Sequence, residues 1–96
     1  METREFLVQA QLEPETLEAF IDAGWLLPRG EPENCEFRDL DVARAQLIRD
    51  LRQALGVNDE GIPIVLHLVD QLHGMRRILR EVLSTMAERE QERDAR

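Results

Sequence analysis

The chain has 96 residues, a third of them charged, and a formal net charge of -8 at pH 7. That length allows one small domain, or a smaller domain with one protruding element. The acidic balance disfavours nucleic acid and anionic membranes as partners and favours basic ones. Cys35 is the single cysteine, so no intrachain disulfide forms. The longest apolar stretch, Ile62 to Val69, is interrupted by Pro63 and His67 and falls far short of the roughly 20 residues a bilayer crossing needs.

The opening METREF is acidic and carries no long apolar run. We therefore expect no signal peptide and a soluble, cytoplasmic protein. Charge is unevenly spread. Residues 1–37 hold nine acids and two bases, whereas residues 38–96 are nearly balanced, and every base in the chain is arginine.

Thr3 to Ala10 can form a short helix with Phe6, Leu7 and Ala10 inward. Leu12-Glu13-Pro14-Glu15 then reads as a helix start, since proline lacks a donor that a first turn does not use, and carboxylates suit the positive end of the helix dipole. Leu17, Phe20 and Ile21 share one face of this helix by the 3.6-residue period, and Glu15, Glu18 and Asp22 share another. Gly24 is its natural stop.

Residues 25–38 read as a small hairpin, with WLLP and CEFR flanking a turn RGEPEN that is too long for a tight reversal. Asp39 or Asp41 is expected to cap the next helix, whose apolar set is Leu40, Ala43, Leu47, Ile48, Leu51 and Leu55, with Gly56 ending it.

Asn58 or Asp59 is expected to cap a last helix with Pro63 in its first turn. From there Val65, Leu68, Leu72, Met75, Leu79, Val82 and Met86 alternate in steps of three and four, the heptad seam of a coiled coil. A second stripe, Ile62, Leu66 and Val69, occupies only the first half. A helix of about 50 Å is much longer than a compact domain of this size is wide. It is expected to protrude and to need a partner for its seam, most simply a second copy. The domain reading is thus a compact 1–57 followed by a long helix over 58–96, fraying after about residue 87, where the apolar signal ends.

This order of elements resembles the MerR-type winged helix-turn-helix: helix, helix, wing, helix, long helix. Thr16, Leu17, Phe20, Gly24, Leu26, Pro28, Arg29, Phe37, Asp41 and Val42 fall at places equivalent to that family's pattern. The resemblance implies a mainly α fold with a small β wing. It departs at the reading helix, where Glu18 replaces an arginine and Ala19 a tyrosine, and at the wing, where Cys35 stands near an arginine position.

The chain as a whole, about residues 3–86, is similar to a smaller group on the same scaffold, the CbpM-type chaperone modulators. The shared features are a start near REF, then GWLLPR, FRDLD opening the third helix with arginines inside it, and GIPIVLHLVDQL at the start of the last. That resemblance implies a bacterial regulator that binds the J domain of a CbpA/DnaJ-like co-chaperone. Binding would inhibit the partner's work with its heat-shock chaperone and oppose its DNA binding. J domains as a family present a basic helix to that chaperone, which an acidic surface complements.

The charge pattern bears on both resemblances. Affinity for DNA comes largely from basic side chains that neutralise phosphates. Residues 13–23 carry four acids and no base, and Arg29 and Arg38 offer too few contacts to reverse that sign. A charged face on a helix is usually just a solvated face. What lifts Glu15, Glu18 and Asp22 above that reading is their position where the fold family places its ligand.

Asp59, His67, Asp70 and Arg77, off the heptad seam, form a rival surface, although His67 and His73 read more simply as ordinary surface histidines. Trp25 is expected to pack under the wing; exposed, it would be an interface anchor. Cys35, His67 and His73 are too dispersed for a metal or catalytic site, so we expect no metal, no cofactor and no enzymatic activity. Gly74, inside the long helix, permits either close helix approach or a bend. A MerR-type DNA-binding transcriptional regulator is the alternative function.

Overall fold

The computed structural model describes residues 1–95. It contains α1 (Thr3–Ala10), α2 (Pro14–Asp22), β1 (Arg29–Glu31), β2 (Asn34–Glu36), α3 (Asp39–Gln53) and α4 (Ile62–Asp94). The chain divides into two compact units, Met1–Pro63 and the segment from Ile64 onward.

The first unit is built around α1, α2 and α3. Phe6, Ala10, Leu17, Phe20, Trp25, Leu26, Phe37, Ala45, Ile48 and Ile62 are buried. Phe6 of α1 stacks on Phe37 at the exit of the wing, with ring centroids 4.1 Å apart. A helix-turn-helix arises where α1 stops at Gln11, whose φ of 57° is left-handed. This lets the Leu12 amide donate back to the Leu7 carbonyl at 3.1 Å. Pro14 opens α2 as the periodicity predicts, and Gly24, at φ 79°, closes it.

Three local expectations need correction. The wing is a tight hairpin, with only Pro32 and Glu33 between strands that pair Arg29 with Glu36, Gly30 with Cys35 and Glu31 with Asn34. RGE and NCE, expected within or beside the turn, are themselves the strands. Gly30 makes this possible: its φ is 87°, and a Cβ there would stand 2.7 Å from the Asn34 carbonyl oxygen.

The N-cap of α3 is Arg38, not Asp39 or Asp41. Asp41 serves instead from the third helical position, its carboxylate accepting the Arg38 amide at 2.9 Å. The inward face of α3 is also rotated from expectation. Asp41, Ala45, Ile48 and Leu51 are buried, while Leu40, Ala43 and Leu55 are exposed. Leu40 points away from the buried Asp41–Ala45–Ile48 row, and Leu55 follows the end of the helix at Gln53.

The α3–α4 turn is held by Asn58, whose side-chain oxygen accepts the Gly61 amide at 2.8 Å. α4 has 33 residues and runs unbroken through 87–94 to Asp94. Ile62 and Leu66 are buried and Val69 is half-buried, as the second stripe anticipates. Leu68, Leu72, Met75, Leu79, Val82 and Met86 of the heptad seam are exposed, and Val65 is half-buried. Ile64, Ile78 and Leu83 flank the seam and are exposed as well. A Cβ added at Gly74 meets nothing within 4 Å, so no close approach inside the described chain calls for glycine there.

Candidate protein-interaction face

Three arginines of α3 set the geometry of the site, and each turns back onto its own domain. The Arg44 Nε donates to the Trp25 carbonyl at 2.8 Å and anchors the chain just after α2. Arg49 donates to the Ala10 carbonyl at 3.0 Å and to that of Gln11 at 3.4 Å, serving the carbonyls that α1 leaves open at its end. Arg52 places its guanidinium 5.8 Å from the Phe20 ring centroid and 5.7 Å from that of Trp25. It also pairs with Asp59 at 3.2 Å. These cations hold α2 and the α3–α4 turn in place rather than standing out toward a phosphate backbone.

Trp25 is 7 % exposed and tilts against Phe20 with centroids 5.6 Å apart. Its ring meets Phe20 and the Arg52 guanidinium, and its burial corrects the idea of an exposed anchor. Part of its surface lines a recess of about 390 Å³, together with Ala19, Ala23, Arg52, Asp59, Glu60 and Pro63.

A second recess of about 380 Å³ lies against Thr16, Phe20, Arg49, Arg52, Gln53, Val57 and Asp59. The Arg52–Asp59 pair borders both. The first recess is the more apolar, with alanine methyls, an indole and a proline ring among its walls.

Glu15, Glu18 and Asp22 are all exposed on α2. Helical spacing sets Ala19 and Ala23 beside the Glu15–Asp22 row, between it and the buried Phe20. Asp59, which the sequence reading places on a rival surface, lines this recess, and Glu15 and Asp22 lie next to its alanines along α2. His67 and Asp70 are exposed on α4, in the second unit, as is His73.

Sequence reasoning did not bring Ala19, Ala23, Glu60 and Pro63 together around one recess. The available signal was a pair of alanines four apart, Ala19 in α2 and Ala23 at its C-cap. Among the described residues no three His, Cys, Asp or Glu side chains are grouped to hold a metal ion. Cys35 is half-buried in the wing, its Sγ 3.7 Å from the Pro32 carbonyl oxygen. No helix of the described chain is long and apolar enough to cross a membrane.

Two short helices joined by a turn, a two-stranded wing, a third helix and a long terminal helix define a winged helix-turn-helix protein. Residues 1–83 match the model of the MerR HTH family regulatory proteins, and the chain belongs to that family. No curated protein matches it.

Proposed function

We propose that this MerR-family chain regulates by binding protein rather than DNA, its partner being the J domain of a CbpA/DnaJ-like co-chaperone. Binding there inhibits the partner's co-chaperone work and opposes its DNA binding. The carrying observation is the sign of the reading helix. α2 exposes Glu15, Glu18 and Asp22 where the family's DNA-reading side chains stand, while Arg44, Arg49 and Arg52 are spent on internal contacts. The resemblance to CbpM-type modulators supplies the partner, and the basic helix of a J domain supplies the complementary charge.

Complementary charge sets encounter rate and orientation more than final affinity. Two copies pair through the α4 seam, so that each assembly carries two acidic faces. Family membership favours the second reading, a DNA-binding transcriptional regulator, and one experiment separates the two. Titration calorimetry against a CbpA-like J domain is expected to give a saturable complex, and fluorescence anisotropy with duplex DNA at physiological salt no sequence-selective one. Selective DNA binding without J-domain binding overturns the proposal.

A further inference from the structure

The recess bounded by Ala19, Ala23, Trp25, Arg52, Asp59, Glu60 and Pro63 already holds one arginine against its indole, and has the makeup of a seat for a second long basic side chain. Its apolar surfaces are two alanine methyls, the edge of a buried indole and a proline ring. Carboxylates stand on both sides: Asp59 and Glu60 in the α3–α4 turn, and Glu15 and Asp22 one helical step from the alanines on α2.

Arg52 answers one of these charges, through Asp59 at 3.2 Å. With Arg52 and Asp59 offsetting each other, Glu60 leaves the lining one negative charge in excess, and the exposed Glu15 and Asp22 neighbour the recess on α2. Lysine and arginine match that combination, since their methylene stems lie on apolar surface while the charged head stays at a polar rim. An acidic or purely aliphatic side chain satisfies only half of it.

We infer that this recess is the anchor point of the protein partner, taking a single lysine or arginine from a basic amphipathic helix laid along α2. The inference rests on the J-domain reading above and deepens it by naming the contact that supplies short-range affinity. Exposed ion pairs are individually worth only about 0.2–1 kcal/mol, so the acidic face alone does not hold a helix. Anchors that fill a pocket and exclude water carry most of an interface's energy. The sides of the recess also explain why α2 presents alanines here. A larger residue at Ala19 or Ala23 would fill the depression.

The test uses the full chain and a CbpA-like J domain whose own tryptophans are replaced by phenylalanine, so that Trp25 is the only emitter. Binding is expected to shift Trp25 emission with the same midpoint that calorimetry gives. Ala19→Leu, on the exposed surface of α2, and Ala23→Leu, at its exposed C-cap, keep the charge and add bulk. Each is expected to weaken binding by about tenfold or more, with circular dichroism and melting unchanged. Glu60→Lys, which leaves α2 untouched, is expected to weaken it by a smaller factor.

If the wild-type chain binds but both leucine variants and Glu60→Lys stay within about twofold and Trp25 emission does not move, the recess is not the anchor and the J-domain reading stands. If the wild-type chain does not bind the J domain at all, both fall. If a leucine variant unfolds, Glu60→Lys and the Trp25 signal decide by the same criteria.

Discussion

Arg49 reaches from α3 to the carbonyls of Ala10 and Gln11 and so acts as a cap for α1. Ala10 is fully buried, and a carbonyl left without its donor there costs about 1–3 kcal/mol. Arg49→Met, which keeps most of the stem, is therefore expected to lower stability by that amount in urea unfolding.

The glycines separate two costs. Gly24 and Gly30 both have positive φ, but a Cβ at Gly24 meets nothing within 4 Å, whereas at Gly30 it collides with the Asn34 carbonyl. Gly24→Ala is expected to cost about 1–2 kcal/mol from conformation alone. Gly30→Ala should cost more and should unpair the wing, visible as faster amide exchange at Asn34 and Glu36.

At the scale of elements, α4 poses the largest energetic question. Leu72 is 48 % exposed and Met75 68 %, and the seam is widened by Ile78 and Leu83. Apolar surface left in water forgoes about 25 cal/mol per Å², so a continuous stripe of this kind favours association. We expect the chain to sediment as a dimer at tens of micromolar and Leu72→Asp to sediment as a monomer with lower helicity. A wild-type monomer under those conditions would remove the seam from the account.

Gly74→Ala carries a sharper form of the same question. Alanine is worth up to about 1 kcal/mol more than glycine inside a helix. Thermal melting is expected to rise if the helix surface at Gly74 stays free in the dimer, and to fall if the second copy packs on it.

At the scale of the whole molecule, the proposed choice of partner rests on charge distribution. The first 37 residues carry a net of -7, and no base interrupts α2. The triple reversal Glu15→Lys, Glu18→Lys and Asp22→Lys leaves the Leu17–Phe20–Ile21 face untouched. It is expected to slow association with the J domain and to flatten the salt dependence of the rate in stopped-flow measurements, with far-UV circular dichroism unchanged. An unaltered rate would sink the electrostatic part of the proposal.

The boundaries of α1 and α2, the role of Pro14, the stop at Gly24 and the short Ile62–Leu66–Val69 stripe of α4 were legible because each depends on neighbours within one or two turns. Apolar period, proline placement and capping chemistry are local properties, and here the tertiary contacts reinforce them. The acidic sign of α2 was equally plain, since burial does not alter the charge of an exposed side chain.

Three features were settled only when distant segments met. The inward face of α3 turned on which side of it α1 covers, so that Ala45 is buried and Leu40 is not. The wing closed on a two-residue turn because Gly30 lets the strands approach, which composition alone could not distinguish from a longer loop. The recess beside α2 exists because Arg52 ties Asp59 to the Phe20–Trp25 pair, bringing the α3–α4 turn against Ala19 and Ala23. No periodicity records such a contact: its energy comes from burying and pairing groups that lie far apart along the chain.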